Sequence, residues 1–355
     1  MKRSDTNRSA FAGEGRAHAA RAAVKAAWWG ATGAVARAVT RSRAAPAAAS
    51  SLVRAPPPPK GFVRRAWLVA LEKDARDIAL GIYPPMEKVD HPLKALRRAA
   101  DIIGDARVVE RRRGRSGARE AREDAGPGGA YPAYYRQNFH FQSGGWFTSE
   151  SARRYEAQVE TLFGGAGAAM RRRALSLLAQ AWRGRDHRGL AILDLACGSG
   201  AFLGDLALAF PRARLIGADL SPAYLAEAAR SQRAAALVQA TAERLPFADG
   251  SLAAVTCVYL FHELPEKVRP VVAAEIGRVL APGGLLAFAD AIQPVDEPRL
   301  ERLLEAFPAY FHEPYFESYE KTDLAALFAG AGLAPLGQDQ AFLTKAMLFE
   351  KGARP

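Results

Sequence analysis

The sequence is poor in the residues that build disulfide frameworks and metal centres. Its 355 residues include two cysteines, Cys197 and Cys257, and no Cys-X-X-Cys pair, so we expect neither a disulfide framework nor a zinc site. The six histidines are scattered without the spacing of metal ligands, and we predict no metal site. No apolar run approaches the ~20 residues that a membrane-spanning helix needs, so no transmembrane segment is expected.

Acidic residues are scarce in one part of the chain. The net charge is +12, and residues 1–60 supply nine of these charges through eleven Lys or Arg side chains and two acids. The rest of the chain is close to balance. The basic character therefore belongs to the first segment and argues against nucleic-acid binding by the remainder.

The composition divides the chain into three parts. We predict that residues 1–60, rich in Ala and Arg, form a disordered tail. The tail is either an organelle transit peptide, which would direct the protein to a plastid or mitochondrion, or an extension of a protein of the bacterial cytoplasm. Residues 61–148 are expected to form a helical extension, a linker and an aromatic segment, and residues 149–355 the main domain. The sequence does not indicate the oligomeric state.

Within residues 61–148, apolar spacing predicts one helix over 62–82 and a second that begins at Pro92 and stops at Gly104. Residues 111–130 are dense in arginine and glycine and indicate an exposed linker. Residues 131–146 interleave aromatic side chains with polar ones. This segment is either a lid or substrate wall over a pocket, or a strap packed on the domain surface.

From residue 190 onward, predicted strands and helices alternate. This alternation indicates an α/β fold with a doubly wound, mainly parallel seven-stranded sheet, preceded by the helical extension. The last two strands, near 332–338 and 342–350, are joined by the short polar stretch 337–340, which is too short for a helical crossover. We therefore expect an antiparallel hairpin and an antiparallel last strand.

Residues 191–203 carry the most informative pattern in the chain. An apolar run with the carboxylate Asp194 is followed by a turn containing Gly198 and Gly200, and a helical pattern then begins. Glycines allow the backbone to approach a ligand closely, and the free N–H groups of a helix start attract an anion. Asp219 ends the next predicted strand, where a carboxylate can accept ribose hydroxyl protons. The alternative for Asp219 is a helix cap, because Ser221 precedes the next helix.

A nicotinamide-binding enzyme would share these features, but the third glycine of its G-X-G-X-X-G loop is missing here. The order Asp194-X-Ala196-X-Gly198-X-Gly200 resembles instead the first motif of the class I S-adenosylmethionine-dependent methyltransferases. The resemblance extends over about residues 150–350 through Asp219 and three later segments: 240–251, 258–264 and 278–284. It is nearest to the ubiquinone/menaquinone biosynthesis and type 11 methyltransferases, with some similarity to uncharacterised methyltransferases of cyanobacteria and plastid-bearing organisms.

The resemblance implies the fold and a set of cofactor contacts. It implies a Rossmann-like methyltransferase fold with S-adenosylmethionine as cofactor. The implied cofactor-binding residues are Asp194, Ala196, Gly198, Gly200, Asp219, Thr241, Ala242 and Tyr259. Two of them depart from the pattern. Ala196 replaces a glycine, which we expect to be mild because the position should not need a positive φ. Thr241 stands where an acid often accepts the adenine amino proton, so one charge-assisted hydrogen bond is lost.

Two histidines are candidates for catalysis. His262 follows the fourth strand, at the end of the sheet where open α/β folds bind substrate, and His140 lies in the aromatic segment. Each is either a general base or a structural histidine. We interpret the adjacent Glu263 as a charge at a helix start.

The predicted reaction is methyl transfer to a small-molecule acceptor that is a quinone, a phenolic compound or lipid-like. The alternatives are an RNA or protein methyltransferase, or a catalytically silent cofactor-binding assembly factor.

Overall fold

The computed structural model describes residues 2–40, 53–86, 91–114 and 131–352. Seven strands form one sheet in the order β3-β2-β1-β4-β5-β7-β6. Neighbouring strands from β3 through β5 pair in parallel, whereas β7 runs antiparallel to both β5 and β6. The strands are β1 Ala191–Leu195, β2 Arg214–Asp219, β3 Ala236–Gln239, β4 Leu252–Val258, β5 Leu280–Ala291, β6 Leu333–Ala341 and β7 Thr344–Lys351. The predicted doubly wound, mainly parallel sheet is confirmed.

Helices cover both faces of this sheet. They are α1 Lys2–Thr40, α2 Phe62–Ala79, α3 Pro92–Gly114, α4 Ser149–Leu162, α5 Gly167–Ala181, α6 Ala201–Ala209, α7 Pro222–Ser231, α8 Arg269–Val279, α9 Glu301–Tyr310, α10 Phe316–Glu320 and α11 Leu324–Gly330. Short 3₁₀ turns lie at Ala133–Tyr135, Phe139–Phe141, Phe261–Glu263 and Pro298–Leu300. None of the helices in the described residues has the length and apolar character needed to cross a membrane.

Strand β1 shows how the core is divided between the two faces. Ile192 packs with the cluster that includes Leu175 of α5 and Leu203 of α6, whereas Leu193 packs with the cluster that includes Ile276 of α8. Successive side chains of a strand point to opposite faces, so a strand covered on both sides reads as a continuous apolar run. Both cysteines are buried and unpaired, which agrees with the absence of a disulfide framework.

The closing hairpin differs from the prediction in where it turns. Residues 337–340 lie inside β6, and the turn falls at Phe342 and Leu343, since Ala341 pairs with Thr344. Phe342 has a φ of 53°, as a two-residue hairpin turn requires. The polar stretch misled the sequence analysis because β6 is an edge strand, where polar side chains face solvent.

The extension before the sheet also differs from the sequence pattern in two places: the end of α3, and the cap of α4, for which the sequence offers Ser149 or Ser151. The helix beginning at Pro92 does not stop at Gly104 but continues to Gly114, because a glycine inside a helix costs only about 1 kcal/mol. Buried Ile102 and Asp105 hold the helix on either side of that glycine. The cap of α4 is Thr148, whose hydroxyl accepts from the N–H of Ser151. Most of the predicted linker lies outside the described residues.

The largest difference concerns the first segment. We predicted a disordered tail over residues 1–60, yet residues 2–40 form the helix α1. His18 is fully buried, and its Nε2 lies 2.7 Å from Oδ2 of Asp74 on α2. Trp29 is buried against Ile102 of α3 and Ala157 of α4. Alanine-rich helices pack closely without a pronounced apolar stripe, so composition alone did not distinguish this helix from a tail.

Candidate functional site

A cavity of about 560 Å³ lies at the carboxyl ends of β1, β2, β4 and β5. It opens between β1 and β4, where the strand order reverses, which is the usual ligand position in open α/β sheets. Its far wall is formed by the aromatic segment and by side chains of α1, α3, α4 and α9.

The loop after β1 forms the floor of this cavity. Gly198 and Gly200 have φ values of 54° and 81°, the left-handed region that glycine adopts readily. A Cβ on Gly200 would lie 3.0 Å from both Ala228 Cβ and Gln232 Cγ. The close approach of α7 therefore also requires glycine at this position. Ala196 has a φ of 57°, and our expectation that its position does not need a positive φ is wrong. Such a conformation costs a non-glycine residue about 1–3 kcal/mol and is common at functional sites.

Asp194 is a buried carboxylate at the end of β1. Its Oδ1 accepts a hydrogen bond of 2.7 Å from the hydroxyl of Thr256 on β4, whereas its Oδ2 has no hydrogen-bond partner. Burial raises the pKa of Asp194 to about 7, although the Thr256 hydroxyl lowers it. Asp194 lines the cavity, and its Oδ2 is therefore free to accept a hydrogen bond from a bound ligand.

Asp219 joins the glycine loop to the next strand. Its Oδ2 accepts from the N–H of Gly198 at 2.9 Å, and its Oδ1 accepts from the N–H of Ser221 at 2.8 Å. The helix cap is supplied by Ser221, whose hydroxyl accepts from the N–H of Tyr224. Burial raises the pKa of Asp219, and the two N–H donors lower it. Each carboxylate oxygen keeps a second lone pair, and the residue lines the cavity.

The segment after β3 presents a different acid from the residue that the sequence analysis selected. Ala242 lines the cavity as predicted, but Thr241 does not, because its hydroxyl pairs with the carboxylate of Glu243. Glu243 itself lines the cavity, and its Oε1 accepts from the hydroxyl of Tyr134 at 2.6 Å. An acid that lines the cavity therefore stands two residues after Thr241, and its place in 240–251 was the only sequence signal for it.

Tyr259 directly follows β4 and lines the cavity, with a φ of 56°. Its hydroxyl pairs with that of Thr344 on β7. Burial raises the pKa of Tyr259, so the phenol stays protonated. A strained backbone held by a cross-sheet hydrogen bond fixes this ring beside the cavity.

His262 is buried next to the cavity and paired with Asp290 of β5. Nδ1 of His262 lies 2.5 Å from Oδ1 of Asp290, and Asp290 also accepts from the N–H groups of Phe261 and Ala291. Burial lowers the pKa of His262, but the Asp290 carboxylate outweighs burial and raises the pKa to about 9. The ring is thus positioned by a carboxylate and holds its proton at neutral pH.

His140 lies on the same side of the cavity as His262, between two glutamates, and both imidazoles approach Oε1 of Glu263. Its Nε2 is 3.1 Å from Oε1 of Glu263, and its Nδ1 contacts Oε1 of Glu313. Burial lowers the pKa of His140, and Glu313 and Glu263 raise it well above its usual value. Glu263 is therefore part of a side-chain cluster rather than only a helix-start charge. Glu313 was not found from the sequence, because nothing in its local sequence marks it.

The aromatic segment is a wall of this cavity rather than a strap on the domain surface. Its Tyr134, Tyr135, Phe139, His140, Gln142 and Trp146 line the cavity. Trp146 packs edge-to-face against Tyr155 of α4 and Tyr224 of α7, with ring centroids 5.7 and 5.5 Å apart. Gln142 donates to the hydroxyl of Tyr224 at 2.7 Å. These contacts hold the aromatic segment over the carboxyl ends of the strands.

Residues 192–284 match the family profile described as methyltransferase domain. The chain therefore contains a class I S-adenosylmethionine-dependent methyltransferase domain, with the Rossmann-like fold of that class. S-adenosylmethionine is the cofactor of this class.

Two relatives are each similar to part of the chain. A demethylmenaquinone methyltransferase of Thermus thermophilus is 39% identical over 146 residues, which are 39% of this chain and 61% of the relative. A ubiquinone/menaquinone biosynthesis C-methyltransferase of Desulfotalea psychrophila is 32% identical over 160 residues, 40% of this chain and 64% of the relative. The chain thus spans less than two thirds of either relative.

A solved structure of magnesium protoporphyrin IX methyltransferase from Synechocystis, with bound S-adenosylhomocysteine, covers 52% of this chain and 85% of its own. Its TM-score is 0.42 and its sequence identity 15%.

The residues present fit the cofactor of this class. Oδ2 of Asp194 is a buried carboxylate oxygen without a donor, as an ammonium group would need. The left-handed glycines and the start of α6 offer close backbone and free N–H groups to a carboxylate. Asp219 keeps lone pairs for hydroxyl groups on the cavity side. A carboxylate oxygen is thus available to the ammonium group of the cofactor's methionine part, and N–H donors are available to its carboxylate.

Proposed function

We propose that this protein transfers the methyl group of S-adenosylmethionine to a small, largely apolar acceptor, such as a quinone-derived phenol with an apolar tail. One observation carries the proposal: the cavity that begins at the glycine loop continues without interruption to a wall of apolar side chains. The similarity to methyltransferases named for menaquinone and ubiquinone biosynthesis supports the same acceptor class.

The apolar part of the cavity supports an extended acceptor. It is lined by Ile102 and Val109 of α3, Leu303 and Phe307 of α9, and Phe311 beyond that helix. Burial of apolar surface contributes about 25 cal/mol per Å², so a hydrocarbon tail would bind there favourably. Helix α1 lines the cavity through Gly33, Ala36, Arg37 and Thr40, so polar side chains border this apolar part.

The cofactor, when bound, supplies an activated methyl group on its sulfonium sulfur. In our proposal, Asp194 holds the ammonium group of the methionine part, the N–H groups near Gly200 bind its carboxylate, and Asp219 accepts from the ribose hydroxyls. Ala242 and Glu243 flank the adenine. The aromatic segment excludes water from the cavity. The acceptor, and not a water molecule, is therefore held in line for attack on the methyl group.

The catalytic roles of the two histidines remain predictions. His262 carries a proton at neutral pH, which suits a donor to a developing negative charge on an acceptor oxygen better than a base. A general base is needed only if the acceptor reacts through an un-ionised hydroxyl group.

The experiment is transfer of labelled methyl from S-adenosylmethionine to a series of quinols that share one ring and differ in tail length. We expect turnover that rises with tail length through a falling KM. Asp219→Asn should abolish transfer at the same cofactor concentration, whereas the exposed Asp186→Asn should not. Transfer into RNA or protein but into no quinol, or binding without any transfer, would favour the alternative functions.

Retention of the amino-terminal helix α1 is a separate proposal. If residues 1–60 were removed as a transit peptide, the buried contacts of His18 and Trp29 and part of the cavity wall would be lost. We therefore propose that the working enzyme retains α1, in whichever compartment it acts. Amino-terminal sequencing of the protein isolated from its source tests this.

A further inference from the structure

Three ligand-type side chains meet at one side of the cavity. His140 comes from the aromatic segment, Glu263 from the turn after β4, and Glu313 from the loop between α9 and α10. One donor atom from each residue lies within 4.8 Å of the other two. These residues are far apart in sequence, so the fold itself assembles the cluster.

The two carboxylates of this cluster share His140 as an ion-pair partner, and three of their four oxygens make no hydrogen bond to the described residues. Glu313 is 6% exposed, and among the described residues neither of its oxygens accepts a hydrogen bond. Oε2 of Glu263 is also buried without a hydrogen bond. Nδ1 of His140 contacts Glu313, yet it too makes no hydrogen bond. Buried carboxylates are normally paired, hydrogen-bonded or bound to a metal ion, because their desolvation is costly.

The charges of the cluster point the same way. Glu263 and Glu313 carry two negative charges, and His140 can balance one of them. His262 is already paired with Asp290 and lies 3.6 Å from Glu263 at its Nε2. A divalent cation would balance both glutamates and leave His140 as a neutral ligand.

We propose that His140, Glu263 and Glu313 bind one divalent transition-metal ion. One imidazole nitrogen with carboxylate oxygens suits Mn²⁺, Fe²⁺ or Zn²⁺. The backbone of His140 supports the site, because its N–H donates to the carbonyl of His312 and its φ of 55° is held in a strained conformation.

The position of the ion suggests what it would do. His140 and Glu263 line the cavity, whereas Glu313 lies behind them, so the remaining coordination positions would face the acceptor. An ion there would bind a hydroxyl or phenolic oxygen and lower its pKa. This role rests on the proposed function, but the metal site itself does not.

The test uses the full chain, stripped with EDTA and titrated with Mn²⁺ and with Zn²⁺. Binding is followed by calorimetry, and by electron paramagnetic resonance for Mn²⁺. We expect one ion per chain for the wild type. Glu313→Gln should weaken binding about 100-fold, since even removal of a residue that only supports a ligand costs 10–100-fold. The matched control Glu317→Gln alters an exposed glutamate on α10 and should bind as the wild type does.

Binding of S-adenosylhomocysteine by each variant serves as the folding check, because Asp194 and Asp219 lie outside the cluster. If Glu313→Gln does not fold, His140→Gln replaces it. A stripped wild type that takes up neither ion, or a folded Glu313→Gln that binds the ion as tightly, overturns the metal site. Methyl transfer by a chain that binds no metal would refute this site alone. Metal binding without methyl transfer would refute the proposed function alone.

Discussion

Replacement of Asp194 by asparagine separates the effect of this buried carboxylate on folding stability from its effect on ligand binding. Burial raises the pKa of Asp194 to about 7 from an ordinary value of 3.8. Each pH unit between the unfolded and folded values is worth about 1.4 kcal/mol, so the whole difference is about 4 kcal/mol. Because the folded state binds the proton more tightly than the unfolded state, this difference stabilises the folded protein, and the contribution is complete below the unfolded pKa. It is lost as the pH rises through 7.

We therefore expect ligand-free Asp194→Asn to be more stable than the wild type at pH 8, by about 1–3 kcal/mol. The gain is smaller than 4 kcal/mol because the new amide would occupy the Oδ2 position, and a buried donor without an acceptor costs about 1–3 kcal/mol. At pH 4 the wild-type carboxyl is protonated, and the variant should have no advantage. Binding should show the opposite order, with S-adenosylhomocysteine held at least about 10-fold more weakly by the variant.

The assay is urea unfolding followed by tryptophan fluorescence between pH 4 and 9, with and without S-adenosylhomocysteine. Asp186→Asn is the control, because Asp186 is exposed and Arg188 lowers its pKa, so this substitution should change the profile only at its acid end and should not alter ligand binding. Parallel pH profiles for Asp194→Asn and the wild type would refute the burial argument. Equal ligand affinity would refute the role of Asp194 in binding an ammonium group.

Three further substitutions test other parts of the account. Ala196→Gly should raise the melting temperature slightly, because relief of about 1–3 kcal/mol of backbone strain exceeds the glycine entropy cost of about 0.5–1 kcal/mol; a lower melting temperature contradicts this. Glu243→Gln should weaken S-adenosylhomocysteine binding about tenfold by calorimetry, and unchanged affinity would remove Glu243 from the adenine side. Trp29→Ala should cost about 3–5 kcal/mol in urea unfolding, whereas the exposed Val24→Ala should cost little. Equal effects of these last two would mean that α1 is not packed.

The sheet and the cofactor end of the cavity could be predicted because their signals are local. Apolar runs with strand length, a carboxylate and closely spaced glycines lie within residues 191–203, and this part of the prediction needed no long-range contact. The same holds for the antiparallel last strand. Its exact turn could not be predicted, because exposed edge-strand residues and loop residues have the same composition.

Features that depend on distant contacts were missed. The burial of His18 depends on Asp74, and no composition argument reveals that pairing. The cluster of His140, Glu263 and Glu313 exists only when three separate segments fold over one cavity. Ala196 has a positive φ because the loop must turn towards Asp219, and residue type alone argued for the opposite.

The central claim is that the cavity at the glycine loop binds the cofactor of the methyltransferase class. Calorimetric titration of the full chain with S-adenosylhomocysteine tests it most directly, together with the same titration of Asp219→Asn. We predict one site per chain for the wild type and a loss of at least about 10-fold in affinity for the variant. A wild-type protein that is folded and gives no binding, or a variant that binds equally well, would contradict the claim.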